Sequence, residues 1–256
     1  MKQERHLFVS DFQIPEQDDD AIQAVLNFIP DFKPDFIHFV GDILDLTKQS
    51  SFIQNPYDKH TLMDEIKLAR EILGKFTRVG KKANKKCKFN FYSGNHEERL
   101  LNQISRKVPD LAELVNDDNE YILSLPHLLQ LKKLDINWIP YFKHYTTSGD
   151  IAVEHGDLAR SRAGLTGHAM MDKRGTSGVS GHTHRLALVF RTQGNKERFW
   201  IENGSLCKRN FTNPYLKLPD WISGFSVGVV SKGIMHPCVV PIINKSFIYG
   251  GKEYKA

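Results

Sequence analysis

The chain has 256 residues, of which 40% are hydrophobic and 11% aromatic, which is enough for the core of one large domain or two small ones. No apolar run approaches the roughly 20 residues that a membrane-spanning helix needs, and residues 1–5 lack the pattern of a secretory signal. Three widely separated cysteines (Cys87, Cys207 and Cys238) predict neither a disulfide framework nor a Cys-x-x-Cys metal site. They favour a reducing, cytosolic setting.

The formal net charge of +5 and the isoelectric point of about 9.0 mildly favour acidic partners, nucleic acid among them. Much of the excess lies in residues 75–88, where lysines and arginines occur without an acid between them. Such a block is typical of a solvated helix end, where cations suit the helix dipole. We prefer that interpretation to a phosphate-backbone patch.

Three short apolar runs, at residues 6–10, 36–40 and 88–92, predict buried strands, and each is followed by polar residues. These polar positions are Asp11 and Gln13, then Asp42 and Asp45, then Asn95 and His96. The carboxyl ends of buried strands are where an open α/β sheet presents ligands. Helical patterns at residues 18–29 and about 58–82 separate the strands, so the order predicts an α/β layered fold.

Residues 97–135 are rich in leucine and predict a helical or irregular insertion that forms one wall of a cleft. A further strand at residues 151–154 precedes His155, and a helix around residues 161–174 leads to residues 181–185, Gly-His-Thr-His-Arg. Side chains two apart in an extended segment share a face, and neutral imidazole is a common metal ligand. Two histidines so spaced can therefore hold a cation together.

From Leu186 onward the pattern changes to antiparallel strands, with a hairpin signal at Gly194-Asn195. Residues 186–256 are therefore predicted to be a β-rich C-terminal region. Since no linker or repeat is visible, we expect a single domain over residues 1–256.

The candidate ligands carry oxygen and imidazole donors and no thiolate. They are the strand-end residues Asp11, Gln13, Asp42, Asp45, Asn95, His96, His155, His182 and His184. This set suits Mn²⁺, Fe²⁺ or Zn²⁺, and one bridging carboxylate would explain more ligands than one ion needs. Two ions roughly 4 Å apart can create a hydroxide nucleophile and clamp both sides of an in-line displacement at phosphorus. Unrelated turn residues could explain any one cluster, but not five in succession.

The clusters resemble the motifs of the calcineurin-like metallophosphoesterase family. That family's pattern is Asp-x-His, Gly-Asp-x-x-Asp, Gly-Asn-His-Asp/Glu, a lone histidine after a strand, and Gly-His-x-His. Here the matching positions are 11–13, 41–45, 94–97, 155–156 and 181–184, and residues 203–206 resemble the family's closing turn. The insertion and a Trp-x-x-Gly-Phe at residues 221–225 are similar to small phosphoesterases encoded by phages and prophages.

The resemblance implies an αββα sandwich of two mixed sheets flanked by helices, with the site at the sheet edges. It assigns metal one to Asp11, Gln13, Asp42 and His184, and metal two to Asp42, Asn95, His155 and His182, with Asp42 bridging.

Outside the metals, the resemblance implies that His96 stabilises phosphoryl charge or protonates the leaving oxygen. Asp45 would orient His96 through a hydrogen bond. Arg185 is placed either to meet a phosphate or to form a structural salt bridge.

Two positions depart from the family pattern. Gln13 stands where a histidine is usual, and an amide oxygen is a neutral, harder and weaker ligand. We therefore expect weaker binding at metal one, with a bias towards Mn²⁺ or Mg²⁺ over Zn²⁺. Leu46 follows Asp45 where protein-phosphatase members carry arginine, which counts against phosphoprotein phosphatase activity.

The expected function is a dinuclear metal-dependent phosphoester hydrolase, in which a metal-bridging hydroxide attacks phosphorus in line in a phosphodiester of nucleic acid or nucleotides. The alternatives are a phosphomonoesterase and a non-catalytic binding protein on the same fold. The pairing of His96 with Asp45 argues against the last, since a scaffold needs no acid outside the metals. The expected setting is the cytoplasm, that of the host cell if the chain is phage-encoded. The insertion and the C-terminal region would select the natural substrate.

Overall fold

The computed structural model describes residues 3–51, 59–141, 143, 145–208 and 220–256. Its strands are β1 (Glu4–Val9), β2 (Phe36–Val40), β3 (Lys88–Tyr92), β4 (Ile136–Ile139), β5 (Tyr145–Thr147), β6 (Ile151–Val153), β7 (Ser177–Ser180), β8 (Leu186–Gln193), β9 (Lys196–Asn203), β10 (Gly224–Ser231), β11 (Ile234–Pro241), β12 (Ser246–Tyr249) and β13 (Lys252–Lys255). Its α-helices are α1 (Asp19–Phe32), α2 (Leu62–Ala83), α3 (Glu98–Lys107), α4 (Leu125–Leu128) and α5 (Leu165–Arg174), and short 3₁₀ turns cover Thr47–Gln49 and Pro109–Glu113.

Of the strands described, eleven form two large mixed sheets, and β12 and β13 form a separate two-stranded sheet. The first has the order β11-β10-β1-β2-β3-β4, in which β1 to β4 run parallel and β10 and β11 are antiparallel. The second has the order β5-β6-β7-β9-β8. Because β10 pairs with β1 while β8 and β9 join the second sheet, the C-terminal β-rich region contributes strands to both sheets.

Three apolar clusters lie between the layers, and they follow the alternation of each strand. Leu7 and Val9 of β1 face the helical layer of α1 and α2, whereas Phe8 between them faces the second sheet. On the far side of the second sheet, Trp200 packs against Met170 of α5. The order of layers is helix, sheet, sheet, helix, so the predicted αββα sandwich is confirmed.

Local signals fix several helix boundaries. The Asp18 side chain accepts hydrogen bonds from the backbone N–H groups of Asp20 and Ala21 and caps α1, as the sequence predicts. Helix α2 begins at Leu62, because Thr61 and Asp64 form a capping box there, and the earlier predicted start at residue 58 lies outside the described residues. Helix α5 begins at Leu165 and not near residue 161.

The predicted insertion at residues 97–135 contains α3, a 3₁₀ turn and the single turn α4. It joins β3 to β4 and packs beside the ends of these strands. Among the described residues, none of the helices is both long enough and apolar enough to span a bilayer.

The topology brings five segments to one place. Strands β1, β2 and β3 run parallel, as do β6 and β7 in the second sheet. Each of the five predicted motifs begins at or just after the carboxyl end of one of these strands. The two sheets therefore gather the motifs at a shared edge.

Candidate metal centre

The candidate ligands sit on tightly wound loops. Five of them have left-handed backbone conformations with φ between 51° and 72°, namely Asp11, Gln13, Asp42, His182 and His184. Non-glycine residues with positive φ cost of order 1–3 kcal/mol each and persist where surrounding structure fixes them. Backbone bonds supply part of that fixing, since Asp11 N–H donates to Gly41 O and Gln13 N–H to Asp42 O. Such strain concentrated on polar side chains points to a functional site.

One set of donors converges around Gln13. The Gln13 Nε2 lies 3.3 Å from Asp42 Oδ2 and 3.4 Å from His184 Nε2. The His184 Nε2 lies 3.3 Å from Asp11 Oδ1. All four residues are buried. These are the residues that the sequence assigns to metal one.

A second set lies on the other side of Asp42. The His155 Nε2 is 3.2 Å from Asp42 Oδ2 and 3.2 Å from Asn95 Oδ1. The His182 Nδ1 is 2.9 Å from the same Asn95 oxygen. Asp42, His155 and His182 each place a ligand atom within 4.8 Å of the others. The seven predicted ligands therefore form two adjoining sets that share Asp42.

Glycine is required at two positions against this centre. A Cβ on Gly94 would come 2.1 Å from Asp42 Oδ1, and one on Gly41 would come 2.4 Å from His155 Nδ1. Real Cβ atoms do not approach other atoms so closely. The glycines of these two motifs thus leave room for the side chains of Asp42 and His155.

His96 lies just outside the two sets. Its Nδ1 is 2.8 Å from Asp45 Oδ1, and its Nε2 is 3.6 Å from Asp42 Oδ2. Its backbone N–H donates to Asp42 Oδ1. The ring is therefore tied to Asp45 on one side and faces the shared carboxylate on the other.

The sequence interpretation gave Glu97 no role, yet its buried carboxylate organises two of the motif loops. Oε2 accepts from the backbone N–H groups of Asp42 (2.9 Å) and Gly94 (2.7 Å), and Oε1 accepts from Leu44 (3.0 Å). Burial, followed by the nearby charge of Asp42, raises the pKa of Glu97 to about 7. The signal in the sequence was the acid that closes the Gly-Asn-His-Glu motif.

Glu202 of β9 has a similar role in the second sheet and was also not predicted. Its fully buried side chain accepts at Oε1 from the backbone N–H groups of Gly164 and Gly167, both at 2.9 Å, around the start of α5. Its Oε2 accepts from Thr183 Oγ1 at 3.2 Å. Glu202 thus ties the loop of His182 and His184 to α5. No motif in the sequence indicates this contact.

The charges at the centre favour a bound cation. Burial opposes ionisation of Asp42, but His155 and His96 outweigh it and hold the pKa of Asp42 well below its usual range. Burial alone would lower the pKa of His155, yet Asp42 raises it to about 9. Burial likewise opposes a charge on His184, and Asp11 raises its pKa well above the usual value. The buried carboxylates therefore draw positive charge to these imidazoles, which a metal ion could supply instead of protons.

The donor set fits divalent metals. His155 Nδ1 is occupied by the Val40 carbonyl oxygen at 2.8 Å, so its Nε2 is the nitrogen left to face the centre. The Gln13 Oε1 is buried and has no hydrogen-bond partner among the described residues. Rotation of the Gln13 amide would turn this oxygen towards the donors of the first set, which is the orientation that a metal ligand needs. Carboxylate, amide and imidazole donors together suit a mixed nitrogen and oxygen site.

Two basic features of the sequence lie at different places: Arg185 directly follows the candidate ligand His184, and the basic run lies on α2 and β3. Arg185 donates from Nε to Asp220 Oδ2 at 2.7 Å and from Nη1 to Arg160 O at 2.5 Å, so it is engaged in a salt bridge. Its phosphate contact stays a prediction. The basic run at residues 75–88 occupies the last turns of α2 and the start of β3, whereas the candidate ligands follow the carboxyl ends of the strands, Asn95 among them after β3. That run lies at the opposite edge of the sheet.

Comparison with curated proteins finds two phage relatives of the whole chain. The Gene 54 protein of Mycobacterium phage L5 is 25% identical over 276 residues, and that of Mycobacterium phage D29 is 26% identical over 261 residues. Both alignments cover 98% of this chain and 98% of the relative. No protein-family model matches the chain.

Comparison with solved structures gives likenesses over nearly the full length. Vacuolar protein sorting 29 from Cryptosporidium parvum has a TM-score of 0.48 at 12% identity and covers 99% of this chain and 96% of its own. Vps29 complexed with Zn²⁺ from Entamoeba histolytica has a TM-score of 0.46 at 11% identity, with 98% of each chain covered. The nuclease MPE of Pseudomonas putida has a TM-score of 0.36 at 13% identity, with 91% and 87% covered. All three scores are below 0.5 and do not bear on function.

The strongest evidence for a metal centre comes from the chain's own motifs and not from the comparisons with other proteins. Its five motifs follow five parallel strand ends and bring their polar side chains together at one edge of two stacked sheets. This αββα sandwich places the residues of the five motifs at its sheet edges, where the resemblance of those motifs to the calcineurin-like metallophosphoesterases predicts them.

Proposed function

We propose that this chain is a divalent-metal-dependent phosphoester hydrolase that acts on phosphodiesters of nucleic acids or nucleotides. The observation that carries the proposal is the convergence of seven nitrogen and oxygen donors into two sets that share Asp42. Two bound ions would lower the pKa of water and neutralise phosphoryl charge. Mn²⁺ best suits this donor set, with Fe²⁺, Zn²⁺ or Mg²⁺ as alternatives.

The remaining chemistry falls to His96. As the bond from the water oxygen to phosphorus forms, the water gives up one proton to the solvent, the bond to the leaving oxygen breaks, and that oxygen gains a proton. Asp45 holds His96 Nδ1 at 2.8 Å and so directs Nε2 towards the side of Asp42. From there His96 can donate the proton to the leaving oxygen, while Asp45 fixes the ring orientation.

Charge around the centre supports a diester. Arg185 is neutralised by Asp220, so it does not offer a free guanidinium to a phosphate. A monoester phosphate carries close to two negative charges at neutral pH and a diester carries one. Arg99 is likewise held by the Asp45 carboxylate, so both arginines already carry an acidic partner, and this favours the singly charged group. The net charge of +5 adds a general attraction for polyanions.

The test compares hydrolysis of bis-p-nitrophenyl phosphate and p-nitrophenyl phosphate by purified protein with added Mn²⁺. We expect faster diester hydrolysis, a fall in kcat of roughly 10²- to 10⁴-fold in His96→Ala, and loss of activity in Asp42→Asn. The exposed His236 of β11 provides a histidine control, since His236→Ala should retain full activity. Unchanged activity in both His96→Ala and Asp42→Asn would refute the mechanism.

The same assay separates the two alternatives. Hydrolysis of the monoester alone would favour a phosphomonoesterase acting on nucleotides or phosphoproteins. Binding of Mn²⁺ by calorimetry without hydrolysis of either ester would favour a non-catalytic binding protein. A panel of DNA, RNA, cyclic dinucleotides and nucleotide monophosphates, each with a metal series, then identifies the substrate class.

A further inference from the structure

Arg99, in the first turn of α3, brings a guanidinium to the edge of the candidate centre. Its Nη1 donates to the Asp45 carbonyl oxygen at 2.6 Å and lies 3.3 Å from Asp45 Oδ1. Its Nη2 lies 3.0 Å from His96 Nε2. The side chain is only 18% exposed, so its position is set by these contacts and by packing.

The hydrogen-bond chemistry defines which atoms donate. A guanidinium has N–H donors and no acceptor, and it keeps its charge in proteins. In its contact with Arg99, His96 Nε2 must therefore accept. The proton of the neutral ring then sits on Nδ1, which donates to Asp45 Oδ1 at 2.8 Å. One end of the guanidinium is fixed on Asp45, and the other is held by a single ring nitrogen.

That ring nitrogen is the atom that faces the metal side. His96 Nε2 lies 3.6 Å from Asp42 Oδ2, the carboxylate oxygen shared by both donor sets. The Nη2 of Arg99 is thus one hydrogen bond away from the position where a phosphoryl group would meet His96. An anionic phosphoryl oxygen is a stronger acceptor for a guanidinium than a neutral ring nitrogen.

We propose that Arg99 is a substrate-binding residue, whose Nη2 moves from His96 Nε2 to a non-bridging phosphoryl oxygen while Nη1 remains on Asp45. This inference rests on the proposed hydrolase function. The exchange releases His96 Nε2 from its contact with Arg99. Arg99 on α3 would also supply a guanidinium near position 46, where protein-phosphatase members carry arginine and this chain carries leucine.

The test measures substrate and phosphate binding in Arg99→Ala and Arg99→Lys. The control is Arg106→Ala, which removes an exposed arginine from the other end of the same helix. Binding of inorganic phosphate in constant Mn²⁺ is measured by isothermal titration calorimetry, and KM and kcat are measured with bis-p-nitrophenyl phosphate. Circular dichroism melting checks the fold of each variant.

We expect Arg99→Ala to weaken phosphate binding and raise KM by roughly 10- to 100-fold, as loss of a hydrogen bond between charged groups predicts. Arg99→Lys should recover part of the loss, because it keeps the charge without the two-pronged geometry. Arg106→Ala should match the wild type.

A purely positioning role for Arg99 has a different signature. It would lower kcat in Arg99→Ala and leave phosphate binding unchanged, and that result overturns the proposal. If Arg99→Ala does not fold, phosphate binding by Arg99→Lys that equals the wild type overturns it equally. Wild-type protein that binds phosphate but hydrolyses neither ester would refute the hydrolase, whereas the calorimetric comparison still tests Arg99.

Discussion

Replacing Glu97 by alanine should lower the free energy of unfolding by about 3–5 kcal/mol. Its carboxylate accepts three backbone hydrogen bonds, from Asp42, Leu44 and Gly94, and its side chain is buried. Hydrogen bonds to charged groups contribute roughly 1.5–3 kcal/mol each. Relief from burying the carboxylate beside Asp42 offsets part of the loss, which places the net effect below the simple sum.

The measurement is urea denaturation of metal-free protein in EDTA at pH 8, above the pKa of about 7 that burial gives Glu97. Glu98→Ala is the matched control, since Glu98 is the next residue along the chain and accepts a bond from Ser93 Oγ at 2.8 Å. Its loss should cost about 1 kcal/mol. Glu97→Gln should fall between the two, because an amide keeps one acceptor oxygen but turns an N–H towards a backbone donor.

Equal losses in Glu97→Ala and Glu98→Ala would contradict this account. So would an unchanged urea midpoint in Glu97→Ala, because three buried N–H groups would then have lost their acceptor without cost. Either result would mean that water replaces the carboxylate and that the motif loops do not depend on Glu97.

Three further outcomes are expected. Gln13→His should raise metal affinity and shift preference from Mn²⁺ towards Zn²⁺ in a metal titration, since imidazole is the stronger and softer ligand. Equal affinity and the same metal preference in the wild type and in Gln13→His would contradict this expectation. Gly94→Ala should abolish Mn²⁺ binding or folding, because its Cβ would lie 2.1 Å from Asp42 Oδ1. Gly74→Ala is the control and should be tolerated, because Gly74 lies within α2 and its added Cβ would come no closer than 3.9 Å to Leu134. Calorimetry measures Mn²⁺ binding and circular dichroism measures folding in both variants. Acid should destabilise the fold through His38, because burial lowers its pKa well below 6.5: above pH 6.5 the ring is neutral in both states, and below it only the unfolded chain gains the proton. The free energy of unfolding should then fall by up to about 1.4 kcal/mol per pH unit, and a His38→Asn variant should show a shallower fall in urea melts at pH 5–7.

The strands that carry the site were predictable from local pattern. Residues 6–10, 36–40 and 88–92 are apolar runs too short for helices, and polar residues at their ends mark where each strand stops. The pairing of β10 with β1 was not predictable, because it joins residues more than 200 positions apart and depends on packing between layers. The predicted start of α2 near residue 58 lies outside the described residues, and the capping box of Thr61 and Asp64 marks its observed start at Leu62.

The candidate ligands could be named from the sequence because metal chemistry restricts residue type and because the motifs resemble those of a known family; that they bind metal stays a prediction. Glu97 and Glu202 were not assigned, although both are buried and bind backbone N–H groups. From the sequence alone, an acid at the start of a helix that binds other loops looks the same as an acid that only interacts favourably with the helix dipole. An acid at the end of a strand gives no sign of which loop it will contact. Their roles depend on the close approach of loops that are distant in the chain.

Arg99 shows that the absence of an arginine from one sequence position is weak evidence that a site lacks a guanidinium. Leucine at position 46 stands where protein-phosphatase members carry arginine, and that position alone disfavours phosphoprotein phosphatase activity. In space, the Asp45 carbonyl that precedes Leu46 holds the guanidinium of Arg99 at 2.6 Å. A guanidinium charge is therefore present near the centre, but it is carried by α3 and contacts His96 in this structure. On the proposal made for Arg99, substrate choice would depend on whether a phosphoryl oxygen can displace that contact, and not on the residue at position 46.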